Sequence, residues 1–207
     1  MSSAELKWTH EASSARGVVV VLHGGKSQSR VPASWWNLPV LRMVPFARAV
    51  AAEDDQLSVA MLKYAVRGWN GSDASPVADA ENALEQVGAR YPGVPVGLLG
   101  HSMGGRVALR LAGDPRVSAI VALAPWVERT DVASSHPGLR ALVMHGTRDR
   151  ITSPRNAKAM AEAMAALGAD VAWRPVEGET HSMLRQAGLW HRESARFLAE
   201  HVPAALG

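Results

Sequence analysis

The residues of this chain best suited to chemistry are a serine, an aspartate and a histidine, each just past a short apolar run. Gly100-His101-Ser102-Met103-Gly104-Gly105 follows Val96-Gly97-Leu98-Leu99 and opens a stretch of helical periodicity. Gly-x-Ser-x-Gly at a strand-to-helix junction suits a nucleophilic hydroxyl, because the serine stands on a sharp, strained turn with its oxygen exposed above a sheet. Such a turn brings the residues two before and two after the serine together, so side chains at 100 and 104 would clash. The helix that follows aims its free N–H groups and positive end at the reacting oxygen. At ordinary Gly and Ser frequencies the bare pattern arises by chance in roughly one chain in fifteen of this length. Its position between strand and helix gives it weight.

Three further features suit acyl transfer. Val18–Leu22 leads into His23-Gly24-Gly25, and an acyl-transfer site needs two backbone donors for the developing oxyanion, one after the nucleophile and one from an early loop. The amides of Met103 and Gly25 are the candidates, although a glycine pair also reads as a flexible turn. Asp149 ends Leu142-Val143-Met144-His145-Gly146-Thr147-Arg148-Asp149, where a carboxylate can hold an imidazole in one tautomer. It also reads as a capping or turn aspartate, and Asp131 is its rival. His181, after Val176-Glu177-Gly178-Glu179-Thr180, is placed to take a proton from Ser102 and return it to a leaving group. His101 and His145 read as packing and hydrogen-bonding neighbours. His191 and His201 read as ordinary helix residues, and His10 precedes any confident element.

These groups need a scaffold that ends several strands at one edge. Strands are expected at Gly17–Leu22, Ser58–Tyr64, Val94–Leu99, Ser118–Leu123, Ala141–His145 and Val171–Val176, with a further one within Leu6–His10. Several are apolar throughout, as strands buried on both faces are. Helices are expected at Leu41–Glu53, from Ser75-Pro76 to Arg90, at Met103–Ala112, from Ser153-Pro154 to Leu167, and from Gly188 to His201, with Ser75 and Ser153 as N-caps. The alternation implies a parallel sheet covered on both faces, a three-layer α/β/α sandwich forming one domain over residues 1–207. Ser102, Asp149 and His181 each follow a different strand, and ligands of open α/β sheets bind beyond the strand C-termini.

Composition removes other classes. The 207 residues are 47% hydrophobic and 20% charged, ordinary for a globular protein. With no cysteine, disulfides, thiolate metal sites and a cysteine nucleophile are excluded. The net charge of +3 comes from scattered arginines with no run of like charge, so no nucleic-acid partner is expected. The longest aliphatic run, Val18–Leu22, is too short to span a membrane. The opening residues, Met1 to Lys7, lack the pattern of a signal peptide, so a cytoplasmic location is expected. No Walker loop, dinucleotide fingerprint or metal-binding histidine pair occurs, and no cofactor is implied. Met160 and Met164 form a helix stripe that reads as core.

Taken together, His23-Gly24-Gly25, the Ser102 segment, His145-Gly146-Thr147-Arg148-Asp149 and Gly178-Glu179-Thr180-His181 resemble the α/β-hydrolase superfamily over nearly the whole chain. The resemblance implies a mostly parallel twisted sheet (the α/β-hydrolase fold), a Ser-His-Asp triad and an acyl-serine intermediate, commonly on carboxylic esters or thioesters. The segment between Ala124 and Arg140 is too short for the helical lid of many relatives, so no cap domain and an open site are expected. This is similar to compact lidless esterases and thioesterases. The dienelactone branch needs the cysteine this chain lacks, and a haloalkane dehalogenase would carry aspartate at position 102.

Lys26, Trp35, Trp36, Trp69 and Trp126 are candidate pocket residues, although each tryptophan reads equally as a seal between loop and core. Arg67 suits either a substrate anion or a structural contact, and Arg148 and Arg150 read as solvated. The expected activity is hydrolysis of a small-molecule acyl ester by a monomer or homodimer. One alternative is a thioesterase whose Lys26 and Arg30 meet pantetheine phosphate. Another is a non-catalytic ligand-binding protein on the same fold.

Overall fold

The computed structural model describes residues 3–204. The apolar runs pair as one seven-stranded sheet: β1 (Glu5–His10), β2 (Gly17–Leu22), β3 (Leu57–Lys63), β4 (Val96–His101), β5 (Val117–Leu123), β6 (Arg140–Gly146) and β7 (Asp170–Val176). Their order is β1-β3-β2-β4-β5-β6-β7, with β1 antiparallel to β3 and the other neighbours parallel. The helices are α1 (Leu38–Leu41), α2 (Val44–Glu53), α3 (Ser75–Arg90), α4 (Met103–Arg110), α5 (Pro154–Ala166) and α6 (Ala187–His201).

The period of two along the central strands builds the layers. Val18, Val20 and Leu22 pack with α3, α4 and α5. Val19 and Val21 pack on the opposite face with α2 and α6. Every residue of β2 and β3 is buried, which explains why Val18–Leu22 and Val59–Leu62 are apolar rather than alternating. The chain leaves β2 for β3 on one side and returns to β4 on the other, and this reversal opens a crevice at the strand C-termini. The expected three-layer α/β/α architecture is the one found. Residues 125–139, between β5 and β6, hold neither helix nor strand, so no cap covers the strand ends. No helix among the described residues is long and apolar enough to cross a membrane.

Three local expectations need correction. The helix expected over Leu41–Glu53 starts later, at Val44 as α2, and is split from the short α1 that ends at Leu41, because Pro45 occupies the first turn of α2 and a proline cannot continue a helix that precedes it. Ser75 is not an N-cap. Ala74 takes that place in a left-handed conformation, and the Ser75 hydroxyl turns to the carbonyl of Gly68 at 3.4 Å. Strand β4 begins after Pro95, which has no N–H for the ladder, and runs on through His101 rather than ending at Leu99. Ser153 does cap α5, accepting the N–H of Asn156 at 3.2 Å. The signal-peptide reading rests in part on Met1 and Ser2, which lie outside the described residues.

Candidate active site

Ser102 stands between β4 and α4 with φ 57° and ψ −114°, a left-handed conformation costly for a residue with a Cβ. The glycines beside it make the turn possible. A Cβ on Gly100 would collide with the carbonyl of Gly104, and one on Gly104 with the carbonyl of Leu22. Both obstacles are backbone, so neither can swing aside. Gly100→Ala is therefore expected to destabilise the chain by about 1–3 kcal/mol or more in urea unfolding. Gly88→Ala, in α3 with nothing within 4 Å of the added methyl, is expected to gain about 0.5–1 kcal/mol. Equal effects at the two positions would show that the turn is not under this constraint.

The three candidate catalytic side chains meet although 79 and 32 residues separate them. His181 Nε2 lies 3.0 Å from Ser102 Oγ, and Nδ1 lies 2.8 Å from Asp149 Oδ2. Asp149 is held from every side. Its Oδ1 accepts the N–H of Ile151 at 2.8 Å and of Thr152 at 3.0 Å. Its Oδ2 also accepts the Thr152 hydroxyl at 2.8 Å, with His145 Nε2 at 3.2 Å. One oxygen of this aspartate caps a local turn while the other faces the imidazole. Burial alone would raise its pKa. The hydrogen bonds from His145, His181 and the two amides outweigh burial and hold the carboxyl well below the usual range. Asp131 lies elsewhere, 2.7 Å from the Arg106 guanidinium.

The early loop docks against the Ser102 turn. A Cβ on Gly24 would touch His101 and Ser102 at 3.4 Å, and one on Gly25 would overlap Met103 Sδ at 2.6 Å. Among the described residues, no backbone hydrogen bond uses the N–H of Gly25 or of Met103, so both remain available as donors.

Two buried groups position the histidine loop. His101 lies 3.0 Å through Nε2 from the carbonyl of His181, with the two rings 4.8 Å apart. Glu179, wholly buried, accepts the N–H of Thr180 and of Gln186, each at 2.8 Å, and faces Trp190 Nε1 at 3.4 Å. Sequence reasoning gave neither Glu179 nor Thr152 a role of its own. For Thr152 a signal existed, the Asp-x-x-Thr spacing of a side-chain-capped turn. For Glu179 there was none.

Burial, the adjacent His181 and Arg42, in that order, push His101 down to about 3, and burial pushes His23 down to about 4. Unfolded, both would titrate near 6.5. Below that value the unfolded chain binds more protons, so stability falls as pH falls, by up to about 1.4 kcal/mol per unit for each group. Asp149 acts in the same direction, but only below the ordinary carboxylate value of 3.8. Lowering the pH from 7 to 5 is thus expected to reduce the urea midpoint, and His101→Gln to flatten that dependence. An unchanged slope in the variant would refute the assignment.

The candidate pocket residues divide. Lys26 lies with Gly24, Gly25, Leu38, Pro39 and Arg67 around a cavity of about 360 Å³. Trp69 and Trp126 line another, holding the Arg106 guanidinium at 4.0 and 4.5 Å from their ring centres. Trp35 is drawn away to the sheet edge, where its Nε1 donates to Glu5 at 3.0 Å, so the structure does not bring it to the triad. Trp36 is 82% exposed. Arg67 donates to the carbonyl of Pro32 at 3.1 Å, and Arg30 pairs with Asp73. Among the described residues, no group of three or more His, Asp or Glu is placed to hold a metal ion.

The family model described as the alpha/beta hydrolase family matches residues 19–205. No curated protein matches the sequence. Among solved structures, the chain is similar to a serine hydrolase without lid from Xanthomonas campestris, with TM-score 0.70 and 19% identity over 98% of this chain and 90% of that one. It is similar to esterase 2 of Thermogutta terrifontis phosphorylated by paraoxon, with TM-score 0.74 and 20% identity over 95% and 88%. It also resembles an alpha-beta serine hydrolase homologue from Coxiella burnetii, with TM-score 0.68 and 16% identity over 93% and 90%.

Proposed function

The chain belongs to the alpha/beta hydrolase family, and from that premise we propose that it is a serine hydrolase cleaving a carboxylic ester of a small molecule through an acyl-enzyme. The observation that carries this reading is the unbroken hydrogen-bonded series Ser102–His181–Asp149 at the open strand ends.

Asp149 accepts the Nδ1–H of His181 and leaves the Nε2 lone pair facing the serine. Ser102 Oγ attacks the ester carbonyl as its proton passes to Nε2. The charge on the carbonyl oxygen falls to the amides of Gly25 and Met103, which are fixed before reaction and need no rearrangement. Collapse expels the alcohol oxygen, which takes the proton from His181. Water then attacks the acyl-serine, giving its proton to His181, and the acid leaves as Ser102 regains its hydrogen. The cavity bordered by Leu38 and Pro39 beside Gly25 suits an apolar acyl chain. Thioester cleavage would use the same groups.

Esterase 2 of Thermogutta terrifontis is phosphorylated by paraoxon, so an organophosphorus probe suits the test. A fluorophosphonate is expected to leave a single phosphonyl adduct on Ser102, located by peptide mass, and to abolish hydrolysis of p-nitrophenyl esters. Tight binding of an ester with neither turnover nor adduct would identify a ligand-binding protein instead.

A further inference from the structure

A groove of about 540 Å³ opens beside the His181 ring, bordered by Arg42, Arg148, Arg150 and Arg185 together with Ile151 and Thr180–Ser182. Among the described residues, no aspartate or glutamate lines it. Among the described residues none of these four arginines is in an ion pair, whereas Arg16, Arg90, Arg116, Arg140 and Arg174 each hold a carboxylate. Among the described residues, the four guanidinium groups make one hydrogen bond, from Arg185 to the carbonyl of Gly178, at 3.3 Å. The acids on the adjoining loops are already engaged: Asp149 by His181, Glu179 by the loop amides and Glu177 by the Thr147 hydroxyl. Four cations drawn from three separate segments thus converge on one groove and repel one another, a cost that a bound anion would offset.

We propose that this groove is a subsite for a phosphate or carboxylate carried on the leaving-group half of the ester. The inference rests on the hydrolase reading for its placement. His181 must protonate the departing oxygen, so the groove that His181 itself borders is where the leaving group lies. The acyl chain has the separate cavity beside Gly25 and Leu38. Planar guanidinium groups suit carboxylate and phosphate oxygens, and Ile151, 75% exposed among them, offers apolar surface to the body of the alcohol. Arg42 also reaches the centre electrostatically: after burial and His181, it is the next cause of the low pKa of His101. Arg148 and Arg150, read from sequence as solvated, thus share a task with Arg42 and Arg185, in a groove that has no lining residue in common with the Lys26 cavity.

The test has two arms. In the first, the butyrate ester of 4-hydroxyphenylacetate is compared with that of 4-hydroxyphenylacetamide, whose phenol is similarly acidic but uncharged. The anionic ester is expected to have a kcat/KM about tenfold higher or more, a preference that shrinks as salt rises. The double variants Arg148→Gln/Arg150→Gln and Arg42→Gln/Arg185→Gln are each expected to bring the ratio close to unity. In the second arm, phenyl phosphate is titrated calorimetrically into wild-type protein and both variants, with weaker binding expected in the variants. Equal rates for the two esters, or phosphate binding indifferent to both double substitutions, overturns the subsite while leaving the hydrolase reading intact. Arginine-dependent binding of phenyl phosphate with neither ester cleaved upholds the subsite and removes the hydrolase.

Discussion

Replacing Ser102 by alanine is expected to lower ester hydrolysis by about 10⁴- to 10⁶-fold, to the level left by the oxyanion amides and binding alone. The size of the loss follows from the site's geometry. Ser102 Oγ is the side-chain oxygen that His181 Nε2 faces at 3.0 Å, and without it no covalent intermediate can form. The fold is expected to survive, because the side chain is only part-buried and the strained turn is held by Gly100, Gly104 and the Ser102 N–H bond to Leu123 at 2.9 Å. Urea unfolding within about 1 kcal/mol of wild type, together with loss of the fluorophosphonate adduct, would separate chemistry from folding. Hydrolysis undiminished in a folded Ser102→Ala protein would remove the serine from the mechanism.

The second large effect is expected at Asp149→Asn, with kcat falling by about 10⁴-fold. The substitution changes few atoms. Asparagine keeps an oxygen for the amides of Ile151 and Thr152, but presents an NH₂ where Oδ2 now meets His181 Nδ1 at 2.8 Å. That NH₂ donates to Nδ1 and drives the imidazole proton onto Nε2, where it blocks acceptance of the serine hydrogen. The NH₂ also faces the Thr152 hydroxyl, 2.8 Å away, which must turn to accept, so some stability is lost as well. The contrast is Asp131→Asn. It weakens an ion pair to a buried arginine and is expected to lower stability while leaving the rate of the folded enzyme near wild type. If instead the Asp131 variant lost turnover and the Asp149 variant kept it, the sequence rival would be the true partner of His181.

Much of this was legible before any coordinates, for reasons that differ along the chain. The strands were readable because burial on both faces demands unbroken apolar runs, as in Val18–Leu22. The turn that carries Ser102 was readable because its strained backbone forces glycine at 100 and 104. Asp149 and His181 were readable only through their places after strands, since neither has a local pattern of its own. The split between α1 and α2 had a local cause, Pro45, which helical spacing alone overlooked.

What remained hidden depends on contacts between distant segments. Glu179 is an ordinary surface-type residue in the string, and only the fold of its loop buries it against Trp190 and two amides. Trp35 and Trp69 have one side chain in common, yet tertiary packing sends the first to the sheet edge and closes the second over Arg106. The groove of Arg42, Arg148, Arg150 and Arg185 is likewise invisible in sequence, because charge scattered singly along a chain carries no record of where it converges. The sequence by itself determined which residue types stand at the strand ends, since local sterics and burial act on near neighbours. Only the tertiary structure decided which of those ends face one another, and which charges were left without a counter-ion, because these follow from how the loops of separate strands pack together.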